Sequence, residues 1–167
     1  MTQTLNRLQA MVAAAGDRLQ SPFLLLIRLY WGWQLVQTGW GKLHTLDKVT
    51  EFFSSLGLPA PGPTAALVGT LEFAGGILLI LGLASRLISI PLTISMFTAY
   101  VTADKEALFS FFSEPDKFYA AAPFTFLFAV LIVLIFGPGK FSVDELFHWN
   151  TEPAREERHA PIGRMAL

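Results

Sequence analysis

"GTLEFAGGILLILGLASR", Gly69 to Arg86, holds one carboxylate, Glu72, inside an otherwise apolar run. Followed back to Thr64 and on to Ala84, the run is long enough for a membrane span, since a bilayer core of roughly 30 Å needs about 20 apolar residues in a helix. Lipid cannot solvate a carboxylate, so an acid inside a span turns toward the bundle interior or a wet cavity. The stretch therefore predicts both a transmembrane helix and an inward-facing Glu72.

The composition agrees. The chain has 167 residues, 53% hydrophobic and 15% charged, with mean hydropathy +0.49, whereas a soluble domain carries about 25% charged residues. One domain is expected at this length. A net charge of −1 and the lack of a basic cluster interleaved with aromatics argue against a nucleic-acid partner. The chain has no cysteine, which excludes disulfides, thiolate metal sites and a dithiol relay within it. The first apolar run comes late and lacks a small-residue cleavage pattern, so the first span is expected to act as the anchor rather than as a cleaved signal.

Besides the second span, about 64–84, three other stretches approach spanning length: Pro22–Gly41, Leu87–Ala103, which holds Pro91, and Ala121–Gly137. Pro22 and Pro63 stand where first helical turns would begin, and Gly137-Pro138-Gly139 is a stop. A soluble helical bundle is the competing fold, but the fourth stretch has no charge at all and suits lipid better than a half-exposed face. Upstream, Leu5, Leu8, Val12, Ala15 and Leu19 recur at helical spacing, as in an interfacial helix or a frayed terminus. Residues 150–167 read as a polar tail. The expected fold is all-α: a four-helix transmembrane bundle over residues 1–149, with short amphipathic helices at the N-terminus and after the fourth span.

Charge on the short flanks sets the orientation. Arg7, Arg18, Arg86, Lys140, Arg155, Arg158 and Arg164 fall on one side, against Lys42, Lys48, Lys105 and Lys117 on the other. The excess predicts a multi-pass protein of the cell (inner) membrane with both termini cytoplasmic and the loops near 42–63 and 104–120 outside. Helical rise then places Glu72 in the outer half, level with Gln34 and Thr38. Gln34, Thr38 and Lys42 follow i, i+4, i+8 spacing. Together with Tyr100 and Asp104 they are the expected lining of an outward-opening polar pocket around Glu72. That cluster reads equally as a substrate, quinone or proton site and as polar glue between helices. Arg28 leans the other way along its helix, toward the cytoplasmic side and Asp144 or Glu145. Gly32, Gly39 and Gly41, with Gly75, Gly76 and Gly82, permit close helix packing. Trp31, Trp33 and Trp40 suit an interface.

"GPGKFSVDELFHWN" ends one helix and starts another, because Ser142 and Glu145 have capping-box spacing before Val143. "FGPGKFSVDELF" resembles the closing signature of the DoxX family of four-helix membrane proteins. "LIRLYWGWQLVQTGWGKL" resembles its first span, and "LEFAGGILLILGLASRLISIPL" its second span and the following Arg turn. The likeness covers about residues 23–147. Arg28, Gly41, Lys42, Glu72, Gly75, Gly76, Arg86, Gly137, Gly139, Ser142 and Asp144 match by motif. Arg28, Arg86, Ser142, Asp144 and Glu145 are taken as structural; no position is marked as catalytic. The resemblance implies both termini inside and a role near quinone-linked sulfur oxidation, quinone or thiol stress, or membrane oxidoreductase complexes.

The function expected is an integral membrane subunit of a quinone-linked oxidoreductase system, holding a bound quinone or small substrate near Glu72 and working with membrane lipid and a soluble or membrane redox protein. A structural or assembly subunit is the alternative, and a small-molecule or ion pathway a third. Whether the chain oligomerises is left open. No metal site is expected: His44, His148 and His159 fall at the outer face, the inner face and the tail.

Overall fold

Two pairs of glycines, each seven residues apart, bring the first and second long helices of the protein into backbone contact. In a computed structural model, which describes residues 2–149, helix α1 (Thr2–His44) and helix α3 (Pro61–Leu81) form the most extensive interface. A Cβ on Gly76 would sit 2.6 Å from the Gly32 carbonyl, and one on Gly39 would sit 2.7 Å from the Gly69 carbonyl. Only hydrogen fits there. The remaining elements are α2 (Leu46–Ser55), α4 (Ser85–Thr102), α5 (Lys105–Phe109), α6 (Pro115–Ala120), α7 (Ala122–Phe136) and α8 (Val143–Trp149). The described residues contain no strand.

The four long helices pack as two pairs, α1 with α3 and α4 with α7, joined through α3–α4 contacts. Leu35, Leu79, Leu92, Met96, Val130 and Val133 form the shared core. The outer faces are apolar as well: Leu26, Leu67, Ile94 and Ile135 are each more than 60% exposed. Among the described residues, one helix, α3, is long and apolar enough to cross a membrane by length and composition, and α7 is an apolar helix of 15 residues.

Several boundaries differ from those the sequence suggests. The N-terminal amphipathic segment is not a separate helix. It continues through Pro22, so α1 runs 43 residues without a break, and Pro22 is interior rather than a first-turn residue. Proline removes a single helical hydrogen bond, and helix-favouring residues continue on both sides of it. The second span starts at Pro61 rather than Thr64 and stops at Leu81, where Gly82 adopts φ +70° and its N–H returns to Leu79 O. The 42–63 loop contains α2, whose Leu46, Val49, Phe53 and Leu56 face inward at helical spacing onto α3. Helix α8 begins at Val143, and Ser142 Oγ accepts the Glu145 N–H at 3.2 Å. The tail 150–167, with His159, lies outside the described residues.

Arg28 fastens the end of the bundle remote from α2. It is 1% exposed. Its Nε donates to Leu79 O at 2.8 Å and its Nη2 to Ile80 O at 3.0 Å. Its Nη1 donates to Pro138 O at 2.6 Å and Phe141 O at 3.0 Å. The last carbonyls of a helix have few intrahelical donors, and the planar guanidinium fork reaches two at the end of α3 and two in the turn between α7 and α8 at once. The expected snorkelling toward Asp144 or Glu145 is therefore corrected: Arg28 is buried and bonded to carbonyls. Asp144 is used elsewhere. Its Oδ1 and Oδ2 accept the N–H groups of Ala84 (2.6 Å) and Ser85 (2.9 Å) at the start of α4.

Candidate functional site

Glu72 lies near the middle of α3, 3% exposed. Side chains lean toward their helix N-terminus, so Glu72 leans back along α3 toward the end of α1. There Lys42 Nζ donates to Glu72 Oε2 and the two form an ion pair. The glycine seam sets this up, because Gly69 packs against the Lys42 and Leu43 side chains and brings the last turns of α1 beside α3.

The pair stands at one side of a half-open cavity of about 380 Å³ bordered by α2, α3 and α4. Its wall is mostly apolar: Phe53 and Leu56 from α2, Leu71 from α3, Pro91 and Ile94 from α4. Ser95, Thr98 and Thr102 add hydroxyl groups along one edge, and the Thr102 hydroxyl is already donated to Thr98 O at 2.8 Å. A pocket of this size falls within the range that holds small organic ligands, about 300–1,000 Å³, and has their usual composition, apolar walls with a few polar groups.

Of the six expected lining residues, Lys42 and Glu72 meet at the cavity, and Gln34, Thr38, Tyr100 and Asp104 do not line it. The reasons are geometric. Positions i and i+8 differ by about 80° around a helix of 3.6 residues per turn, so the row from Lys42 back to Gln34 winds away. Gln34 is half-buried, and the Thr38 hydroxyl donates to Leu35 O of its own helix at 3.1 Å. Tyr100 follows Thr98 by two residues, which places it on the far side of α4. It is buried there, its hydroxyl donates to Phe118 O, and its ring packs on Phe118. Asp104 comes after α4 has ended and precedes α5, in a separate outer cleft with Lys105, Glu106 and Lys117. Charges in that loop pair locally. Lys117 lies 2.7 Å from Glu114, and that hydrogen bond with the carboxylate's charge holds the lysine above its ordinary range.

Sequence reasoning missed the cavity's α4 edge and its α2 cover. A signal existed for both. Pro91, Ser95, Thr98 and Thr102 are spaced i, i+4, i+7, i+11, one face of a helix, and α2 repeats apolar residues at three and four. Among the described residues, no three His, Asp or Glu side chains cluster closely enough to hold a metal ion.

These features define a class: a chain whose described residues are helical, with apolar outer faces and a half-buried ion pair beside an apolar cavity. The DoxX family model matches residues 23–105, and the chain belongs to the DoxX family of membrane proteins. It is similar to "Inner membrane protein YqjF" of Escherichia coli (strain K12), 27% identical over 133 residues that cover 78% of this chain and 96% of the relative. It is similar to "Uncharacterized membrane protein Rv3486" of Mycobacterium tuberculosis (strain ATCC 25618 / H37Rv), 30% identical over 74% of this chain and 80% of the relative. A third relative, "Putative oxidoreductase CatD" of Bacillus subtilis (strain 168), is 29% identical over 55% of this chain and 67% of its own length. No solved structure matches.

Proposed function

We propose that the chain is an integral membrane subunit of a quinone-linked oxidoreductase system, and that the cavity beside Lys42 and Glu72 receives a quinone-like ring. In this reading α1, α3, α4 and α7 cross the inner membrane, both termini are cytoplasmic and α2 covers the cavity from outside. The apolar outer faces of those helices support the crossing, as does the name of the Escherichia coli relative. The oxidoreductase role draws on the name of the Bacillus subtilis relative.

The observation that carries the reading is a buried carboxylate, paired with a part-exposed ammonium, at the wall of an otherwise apolar cavity. The donor set fits the group. Lys42 offers ammonium N–H donors suited to a carbonyl oxygen, the aromatic and aliphatic wall suits a ring, and Glu72 fixes the ammonium in place. A bound quinone supplies the two-electron, two-proton redox chemistry. The chain's own residues position the ring, line its apolar side with Phe53 and Leu56, and hold the Lys42 ammonium beside it through Glu72 Oε2. Electrons come from a partner redox protein or a soluble reductant.

The test is titration of the full-length protein in lipid nanodiscs with a short-chain ubiquinone, followed by tryptophan quenching. Binding should saturate, and Glu72→Gln and Lys42→Met should each weaken it by about tenfold, the loss of one charge-assisted contact, with helicity unchanged. Wild-type protein that shows no saturable quenching refutes the reading. A second reading, an assembly subunit in which the pair clamps α1 to α3, has its own support in the position of the pair across that interface. It predicts that Glu72→Gln loses the fold rather than the ligand. The orientation is checked by reporters: one fused after Leu167 should be cytoplasmic and one within 47–61 external.

A further inference from the structure

At the end of the bundle opposite Glu72, a charged cleft and an apolar groove join. The cleft, about 590 Å³, is bounded by α1, the start of α4, the Gly137–Lys140 turn and the start of α8. The groove, about 640 Å³, runs between α1 and α7 from Phe136 to Phe128, roughly 12 Å at helical rise. Gln20, Leu24 and Phe136 line both, so one continuous surface passes from charged to apolar. The groove exists because α1 meets α7 only sparsely, while each packs closely on its own partner.

The charges in the cleft are of both signs and are free to serve a ligand to different degrees. Arg86 stands where cleft and groove meet. Its guanidinium lies against Gly137, where a Cβ would come within 3.1 Å of Nη2, and it reaches toward Ile135 O at 3.5 Å. Ile135 itself lines the groove. Lys140 is the second cation, on a turn tied to α1 by its backbone N–H donated to Ser21 Oγ at 3.3 Å. Asp144 is occupied by the Ala84 and Ser85 amides. Asp17 and Glu145 are exposed carboxylates at the cleft wall.

We propose that this surface binds a phospholipid with an ethanolamine headgroup: one acyl chain in the α1–α7 groove, the phosphate at Arg86 and Lys140, and the ammonium at Asp17 and Glu145. The cleft sets cations and carboxylates in one place, as that lipid's phosphate and amine require, and it opens onto an apolar groove that takes the chain. An anionic headgroup without an amine would meet the carboxylates uncompensated. A choline headgroup has no N–H to donate to them, whereas an ethanolamine ammonium has three, as a lysine does.

The experiment is native mass spectrometry of the full-length protein released from mixed micelles containing equal phosphatidylethanolamine, phosphatidylcholine and phosphatidylglycerol. Phosphatidylethanolamine should be retained about tenfold over each of the others. Arg86→Gln with Lys140→Gln should abolish that preference, and Leu131→Trp, which fills the groove and touches no charge, should abolish retention with helicity intact. Retention blind to headgroup, or favouring phosphatidylglycerol, overturns the proposal. So does wild-type retention by the groove variant, which decides the matter even if the charge variant fails to fold.

Discussion

Lys42, near the end of α1, reaches Glu72 in the middle of α3, and the pair bridges the interface that the glycine seam creates. The Lys42 side chain keeps 29% of its exposure while Glu72 keeps 4%, so the two ends of the pair are not equivalent. Removing the lysine strands a buried carboxylate. Removing both leaves an apolar contact.

That asymmetry gives a stability test. Lys42→Met should cost about 3 kcal/mol, in the range for breaking a buried pair from one side. Lys42→Met combined with Glu72→Met should cost less than the single change, because an apolar pair replaces the ionic one. Thermal unfolding in detergent, followed by circular dichroism, compares them. A double variant less stable than Lys42→Met would contradict the burial argument.

Gly76 tests the seam. A valine there places Cβ 2.6 Å from Gly32 O and 2.8 Å from Val36 N, and backbone cannot yield as a flexible side chain does. Overpacking costs typically 1–3 kcal/mol, and separation of two helices should put Gly76→Val at the upper end. Gly41, with nothing near its Cβ direction, is the control: Gly41→Ala should leave the melting temperature unchanged or higher. Equal effects at the two sites would sink the seam.

Much of this was legible in the chain, and the failures have physical causes. The lean of Glu72 toward Lys42 followed from the tilt of Cα–Cβ bonds, and the α8 cap from Ser142 and Glu145. The inward faces were harder to read. Tyr100 and Thr98 both look suited to a polar pocket in sequence, yet they lie on opposite sides of α4 and one of the two reaches the cavity. Charge alone draws Arg28 to a carboxylate, but backbone carbonyls at the end of α3 take it instead. Such acceptors carry no letter in the sequence.

Arg28→Lys follows from that last point. An ammonium keeps the charge but lacks the fork that serves carbonyls on α3 and in the Pro138–Phe141 turn together. Leaving buried carbonyls unpaired costs about 1–3 kcal/mol each, softened by local relaxation, so the variant should lose roughly 3 kcal/mol in total. Limited proteolysis should reach the 137–142 turn sooner. A variant as protease-resistant as wild type would show that charge, and not geometry, holds the turn.

Asp144 joins α8 to the start of α4, and its removal has a specific signature. Its two carboxylate oxygens accept the N–H groups of Ala84 and Ser85, and its own N–H donates to Gly82 O at 2.9 Å. Ala84 has φ +48°, a conformation that costs an L-residue about 1–2 kcal/mol, and the two hydrogen bonds help to hold it there. Asp144→Ala should therefore cost about 1–2 kcal/mol, the upper part of the range for a lost helix cap. Ala84→Gly relieves the left-handed strain and should recover about 1 kcal/mol of the loss in the double variant. Amide hydrogen exchange should speed at Ala84 and Ser85 in Asp144→Ala and stay fast at both in the double variant, since glycine restores backbone comfort without restoring the acceptor. Exchange at those amides unchanged in Asp144→Ala would show that another group satisfies them.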